Sequence, residues 1–137
     1  MKIKRLLIDD VELIAHRYAQ AYLEWGEPVP DFNGRYPGVL ERCISAPHQT
    51  FEGQLYDGLI EKAAILFYLM IKNHPFQDGN KRLALITLIV FLARNGKWLN
   101  VSNEQLYSFA KTIAGSEAKS KSSTVKTIER FLRKHVS

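Results

Sequence analysis

Residues 59–95 read LIEKAAILFYLMIKNHPFQDGNKRLALITLIVFLARN, and this stretch decides the fold. Residues 59–72 predict one helix and residues 80–95 a second, which Gly96 caps at its C-terminal end. Both helices are apolar on almost every face, and such helices belong at the centre of a bundle. Because a short loop joins them, they are expected to pack as an antiparallel pair. Their apolar tracts are shorter than the ~20 residues of a membrane-spanning helix, so no membrane association is expected.

The N-terminal part of the chain predicts two further helices and a small β element. Asp9 caps a helix of amphipathic spacing, with Glu12 reaching back to it, and Gly26 ends this helix. A short helix is predicted over residues 38–46. In residues 48–56, threonine and aromatic side chains flank a Glu-Gly pair, which favours a β-hairpin flap, although an irregular loop fits equally well.

The C-terminal part predicts two more helices. Ser102 and Gln105 have the spacing of a capping box, which starts a helix that runs to about Ala114. Residues 116–123 form a polar linker rich in serine and lysine, and the last amphipathic helix begins near Val125. The predicted fold class is therefore all-α, a helical bundle around two central antiparallel helices with one small β-hairpin flap.

Composition and charge limit the class of protein. Residues 1–137 are expected to form a single domain, because 46% hydrophobic and 24% charged residues are typical of a globular protein. Nineteen basic and fourteen acidic residues leave a net charge of +5, which favours anionic partners without choosing among nucleotides, nucleic acid and acidic proteins. The single cysteine, Cys43, excludes an intrachain disulfide and is interpreted as a small core residue, so a reducing, cytoplasmic setting is expected.

A polar island, HPFQDGNKR at residues 74–82, interrupts the apolar stretch and is the candidate functional site. The first turn of the second central helix offers free backbone N–H groups and the positive end of the helix dipole, which suit a phosphate. Lys81 and Arg82 in this turn oppose the dipole, so an anion is expected between them and the helix. Gly79 allows a positive φ and a close approach of a ligand to the backbone.

Two other side chains of the island add chemistry to phosphate binding. Asp78 could hold Mg²⁺ together with phosphate oxygens, and His74 could accept a proton from an attacking hydroxyl. Together these are the parts of a phosphoryl- or nucleotidyl-transfer site. Each residue also has a structural interpretation: the histidine as a helix cap, the Asp-Gly pair as a turn, and the cations as a solvated helix face.

These nine residues resemble the signature loop of Fic-domain proteins, His-Pro-Phe-x-(Asp/Glu)-Gly-Asn-(Gly or Lys)-Arg. The form with lysine at position 81 is similar to the Doc ("death on curing") branch, the toxins of toxin–antitoxin modules. The likeness extends from about Val39 to Gly96. It implies a Fic-type helical bundle that uses ATP and Mg²⁺.

The resemblance also implies roles for single residues. His74 would be the general base toward a protein hydroxyl, and Asp78 would ligate the Mg²⁺ on the nucleotide. Gly79 and Asn80 would form the anion hole, and Arg82 would bind phosphate. These assignments come from the positions of the residues in the signature loop.

The sequence departs from the AMP-transferring pattern at two positions. Lys81 stands where those enzymes have glycine, and Leu85 stands where they have a final arginine. In the Doc branch the lysine fills the anion hole as part of the catalytic loop, and the nucleotide is reversed so that the γ-phosphate is transferred. The resemblance therefore implies phosphorylation of a Ser or Thr hydroxyl, with AMP transfer as the alternative.

Partners are implied in the same way. Thr50 and Phe51 lie where the family has its target-docking flap, which would align a host protein by β-strand addition. The host target in the family is elongation factor Tu, whose modification blocks translation. The chain lacks the self-inhibiting pattern (Ser/Thr)-x-x-x-Glu-(Gly/Asn), so a separate antitoxin is expected. The basic face of residues 126–134 is interpreted as solvated, so nucleic acid is not expected; an inactive partner- or DNA-binding helical module is the alternative from another class.

Overall fold

The computed structural model of the chain describes residues 2–18, 31–50 and 55–137, with the backbone alone for Ala15. The described residues contain six α-helices: α1 (Ile8–Asp10), α2 (Val39–Ser45), α3 (Leu59–Lys72), α4 (Asn80–Arg94), α5 (Asn103–Ala114) and α6 (Lys121–His135). Short 3-10 turns cover Phe32–Gly34, Ala46–His48 and Ala118–Ser120, and a π-helical turn covers Val11–His16. Within these ranges there are isolated β-bridges but no strand, so the prediction of an all-α fold is confirmed.

The centre of the molecule is the pair α3 and α4, joined by the short loop 73–79 as the sequence predicted. Side chains on several faces of both helices are buried, among them Phe67 and Met70 of α3 and Leu83 and Leu88 of α4. Burial on many faces explains why these two helices are apolar almost all round.

The helices α5 and α6 pack against this centre through stacked aromatic rings. The Phe109 ring lies 6.3 Å from Phe67 of α3 and 4.1 Å from Phe131 of α6, both in nearly parallel orientation. The ammonium of Lys72, at the end of α3, donates to the carbonyl oxygen of Ala114 at 3.1 Å. This carbonyl belongs to the last residue of α5 and so has a hydrogen-bond partner. At the start of α5 the hydroxyl of Ser102 accepts the N–H of the third residue of the helix, which confirms the predicted cap.

The N-terminal helix begins differently from the prediction. Its first residue is Ile8, and the carboxylate of Asp10 accepts the backbone N–H of Leu7 at 2.8 Å, so the predicted cap at Asp9 is wrong. Asp10 also pairs with Arg94 at 2.6 Å, and this contact with the central helix is invisible in local spacing. The predicted end of the helix at Gly26 lies outside the described residues.

The last helix starts four residues earlier than expected. The predicted linker 116–123 instead contains a 3-10 turn and the first turn of α6. The hydroxyl of Ser123 donates to the carbonyl oxygen of Ser120 at 3.0 Å, so polar residues extend the helix on its solvent side. Burial of Val125 and Ile128 against α3 stabilises a helix that local composition does not favour.

The predicted β-hairpin flap is not seen in the part of the chain that the structure describes. Residues 51–54, and Phe51 with them, lie outside it, whereas Thr50 is exposed and takes part in an isolated bridge. The N–H of Leu55 donates to the carbonyl oxygen of Gln49 at 3.3 Å, so these two described residues lie close together. Among the helices described, none is both long enough and apolar enough to cross a membrane.

Candidate active site

The polar loop 74–82 is anchored by its single aromatic side chain. Phe76 is fully buried, and its ring stacks on His16 at 5.7 Å and packs against Phe32 at 5.9 Å. The carbonyl oxygen of Pro75 accepts the N–H of Tyr36 at 2.9 Å, which ties the loop to the segment before α2. The assignment of Phe76 to the core is confirmed, and it fixes the loop between two rigid helices.

Asn80, the first residue of α4, holds the loop from within. Its side-chain oxygen accepts the N–H of Phe76 at 3.0 Å, and its side-chain nitrogen donates to the carbonyl oxygen of Phe76 at 2.8 Å. Both backbone groups of one buried residue are therefore satisfied by one amide. This pairing leaves a single orientation for the amide, because the reversed orientation would place two donors and two acceptors against each other.

His74 lies at the surface beside this amide. Its Nδ1 is 3.4 Å from the side-chain nitrogen of Asn80, which has a second hydrogen to donate. Because an amide nitrogen only donates, Nδ1 is the acceptor, and the neutral imidazole carries its hydrogen on Nε2. The backbone of His74 has φ of 49°, a left-handed conformation that is costly for a residue other than glycine and often marks a functional position.

The first turn of α4 contains the residues predicted to bind an anion. Gly79 adopts φ of 73°, as the sequence predicted, and its carbonyl oxygen accepts the first helical N–H, from Leu83, at 2.9 Å. Arg82 is buried, Lys81 is half-buried and Asp78 is exposed. Since the side-chain amide of Asn80 is engaged with Phe76 and His74, it would offer an anion its backbone N–H.

The donor set of the loop limits which metal could bind. Within the residues described, no three His, Cys, Asp or Glu side chains lie close enough together to hold a metal ion. Asp78 is the one carboxylate of the loop. Mg²⁺ commonly binds through one or two carboxylates, phosphate oxygens and water, so this residue fits a metal that arrives with a nucleotide.

Two residues that support the loop were missed by sequence reasoning. His16 was considered only as a possible zinc ligand and Phe32 was not considered, yet their rings contact each other at 5.3 Å and enclose Phe76. The guanidinium carbon of Arg35 lies 4.3 Å from the centre of the Phe32 ring and covers its other side. No local pattern signals this cluster, since its members are far apart along the chain.

Cys43 is confirmed as a core residue. Burial raises the pKa of its thiol to about 12, and the nearby charge of Arg42 lowers it by a smaller amount. A thiol in this environment stays protonated at neutral pH and does not act as a nucleophile. The polar loop therefore remains the candidate for chemistry.

Comparison with known proteins identifies the family of the chain. Residues 2–92 match the model of the Fic/DOC family. The match covers more than half of the chain, and the chain belongs to that family. It is similar to the toxin Doc of Mycolicibacterium smegmatis (strain ATCC 700084 / mc(2)155), with 38% identity over 60 residues. That similarity covers 43% of this chain and 46% of the relative, so it spans less than half of either protein.

Proposed function

We propose that the chain is a Doc-like toxin that transfers the γ-phosphoryl group of Mg²⁺-bound ATP to a Ser or Thr hydroxyl of a host protein. The observation that carries this proposal is the exposed imidazole of His74, whose Nδ1 lies 3.4 Å from the first side chain of α4. It places a proton acceptor beside a helix N-terminus that favours phosphate. Membership of the Fic/DOC family and the similarity to a toxin Doc support it.

The proposed reaction has one proton transfer and one phosphoryl transfer. The hydroxyl oxygen bonds to the γ-phosphorus, the bond from that phosphorus to the β–γ bridging oxygen breaks, and ADP leaves. His74 takes the hydroxyl proton on Nδ1, after the attacking hydroxyl replaces the 3.4 Å contact of this nitrogen with the Asn80 amide. The backbone N–H groups at Gly79 and Asn80 and the guanidinium of Arg82 bind the phosphates. Asp78 would hold the Mg²⁺ that neutralises the phosphate oxygens.

Two positions favour phosphoryl transfer over AMP transfer. Lys81 adds a cation at the helix start, where AMP-transferring relatives have glycine. Leu85, at the position of their final arginine, is fully buried in the core and offers no charge to a nucleotide. A bound nucleotide would therefore lack the arginine contact that orients it for AMP transfer. Lys81 favours the reversed nucleotide, in which the γ-phosphate faces the hydroxyl.

The proposed partners are a target and an antitoxin. Thr50, at the edge of the described part, and Phe51, beyond it, would dock the target chain by strand addition. By resemblance the target is elongation factor Tu, met in the cytoplasm, and its modification would block translation. The antitoxin would be a separate protein that folds onto the toxin.

The experiment compares the wild type with His74→Asn in a cell lysate supplied with ATP and Mg²⁺, followed by intact-mass analysis of the modified protein. Asparagine tolerates a left-handed backbone, so the loop is expected to keep its conformation. Loss of a general base should reduce the rate by about a hundredfold or more. His135→Asn, at the end of α6, is the matched control and should modify the target at the wild-type rate.

Each outcome has a distinct meaning. A phosphate-sized adduct that depends on His74 supports the proposal, whereas an AMP-sized adduct replaces it with AMP transfer. Unchanged activity of His74→Asn removes the proposed base. No adduct with any target would leave an inactive binding module as the better interpretation.

A further inference from the structure

A second electropositive feature lies away from the polar loop. It is a cleft of about 680 Å³ between the N-terminal segment and the region that follows α2. Lys2, Lys4 and Arg5 line one side, and His48 and Thr50 line another. We call it the basic cleft.

The basic cleft lies at the opposite end of α4 from His74. The ring of His48 contacts Phe91 at 6.2 Å, and the backbone of Lys4 is hydrogen-bonded to the side chain of Asn95. Phe91 follows Asn80 by eleven residues, which corresponds to roughly 16 Å along a helix axis. The basic cleft is therefore separate from the proposed nucleotide site.

The charge of the basic cleft is poorly balanced. The side chains of Lys2, Lys4 and Arg5 are exposed, and within the described part of the chain none of them forms an ion pair. Lys62 adds a further ammonium, which is buried and donates to the carbonyl oxygen of Tyr56. Asp57 is the one carboxylate among the described lining residues. Several cations that share a cleft repel one another, and an anionic ligand would remove that cost.

The spacing of the cations favours an extended ligand with several charges. Lys2 to Arg5 belong to a non-helical segment, in which an extended chain would spread the cations over roughly 10 Å. A row of carboxylates on an extended peptide matches such a spread, whereas a single phosphate would meet one or two of the cations. The described lining contains no Phe, Tyr or Trp on which a nucleic acid base could stack.

The position of the basic cleft indicates which polypeptide would bind there. Thr50 is part of its lining, and the N–H of Leu55 donates to the carbonyl oxygen of Gln49 next to it. A target chain that docks at Thr50, as the proposed function has it, would reach the basic cleft. We propose that the basic cleft binds a carboxylate-rich, extended segment of the protein that the chain modifies, which sets a preference for acidic sequence several residues away from the modified hydroxyl. The identity of the bound protein as the target rests on the proposed function; the binding of an acidic peptide does not.

The first test measures binding without nucleotide. A fluorescein-labelled peptide of alternating Glu and Ser is titrated with the full chain, and fluorescence anisotropy is recorded. The variant Lys2→Ser/Lys4→Ser/Arg5→Ser should bind about tenfold more weakly than the wild type. The control Lys126→Ser/Arg130→Ser/Lys134→Ser removes the same charge from α6 and should bind like the wild type.

Competitors decide the class of ligand. Inorganic phosphate that displaces the peptide at equal charge concentration would overturn the proposal in favour of a small-anion site. Duplex DNA that binds more tightly than the peptide, and loses affinity in the Lys2/Lys4/Arg5 variant, would overturn it in favour of nucleic acid. Equal losses in the variant and the control would mean that only net charge matters, which also overturns it.

The second test assigns the source of the peptide. With the modified target in hand, the Lys2/Lys4/Arg5 variant should raise KM about tenfold and leave kcat unchanged, because its catalytic loop is intact. An unchanged KM alongside weakened peptide binding would contradict the assignment to the target. If no protein is modified at all, the proposed function fails, while the anisotropy result still decides whether the basic cleft binds acidic peptides.

Discussion

Two buried asparagines at the two ends of α4 perform the same structural task. Asn80 pairs with the N–H and carbonyl oxygen of Phe76, and Asn95 pairs with the N–H and carbonyl oxygen of Lys4 at 2.7 and 2.9 Å. Each amide satisfies both backbone groups of a residue in a non-helical segment. The third partners differ: the side-chain nitrogen of Asn95 also donates to the carbonyl oxygen of Phe91 at 2.9 Å, whereas that of Asn80 faces the imidazole of His74.

This pair of residues supplies a matched experiment. Asn80→Ala and Asn95→Ala should each lower the free energy of unfolding by about 2–4 kcal/mol, since the first removes the side-chain partner of two backbone groups and the second that of three. Urea denaturation measures this loss. The ¹⁵N shifts of the His74 ring should show hydrogen on Nε2 in the wild type and in Asn95→Ala, and a mixture of tautomers in Asn80→Ala. The same tautomer in all three proteins would contradict the orienting role of Asn80.

For single residues, the sequence predicted which side chains of the polar loop could carry chemistry, but not which groups they contact. The types and order of His74, Asp78 and Arg82 were enough to suggest a phosphate site. That the amide of Asn80 faces Phe76 depends on how the loop closes, which no local pattern encodes. The packing of His16 on Phe76 depends on an approach of segments 60 residues apart, and it was missed for the same reason.

The helix α4, which runs from the polar loop to the basic cleft, is bounded by glycines in the left-handed conformation. Gly79 has φ of 73° and Gly96 has φ of 75°. After the last turn, the N–H of Lys97 donates to the carbonyl oxygen of Leu92 at 2.9 Å, and the N–H of Gly96 donates to Ala93 at 3.0 Å. These are the two hydrogen bonds of a Schellman motif, and they confirm the predicted cap.

Replacing the glycine after α4 tests the cost of that conformation alone. A Cβ at Gly96 would meet no atom within 4 Å, so Gly96→Ala should destabilise the protein by about 1 kcal/mol through backbone strain. Gly115, after α5, has φ of −81° and room for a Cβ, so Gly115→Ala should leave stability unchanged or raise it by up to about 1 kcal/mol. Thermal unfolding of both variants compares them, and equal losses would rule out strain as the cause.

Helices with strong internal patterns were predicted well, and those that depend on distant contacts were not. The bounds of α3 and α4 follow from continuous apolar sequence, and the start of α5 follows from Ser102. The start of α6 was placed too late because its first turn is polar and is stabilised by packing further along the helix. The start of α1 was misplaced because Asp10, rather than Asp9, receives both a backbone N–H and an arginine from α4.

On the scale of the whole molecule, both ends of the described chain meet at the C-terminal end of α4. Lys4 is held by Asn95, and the backbone of Ser137 exchanges two hydrogen bonds of 2.9 Å with Trp98, just beyond α4. Such contacts join residues that are far apart in sequence, so the sequence alone could not predict them. They bring the basic N-terminal segment to His48.

This arrangement predicts a dependence of stability on pH. The pKa of His48 lies below its ordinary value of 6.5, because burial and then the charges of Arg5 and Lys62 disfavour its protonation. The unfolded chain therefore binds a proton more readily than the native one, and stability should fall as pH decreases below 6.5. Urea midpoints above and below this pH should show a smaller decrease for His48→Gln than for the wild type. An identical decrease in the two proteins would mean that His48 does not contribute.

The burial of the single cysteine has a practical consequence for studying this protein in solution. Because the thiol of Cys43 is buried and protonated, thiol-reactive maleimide or nitroxide labels should not react with it in the native protein. A cysteine introduced on the surface, beside the polar loop or the basic cleft, would then be the sole point of attachment. Distances between the labelled chain and a labelled candidate partner could be measured with the rest of the sequence unaltered.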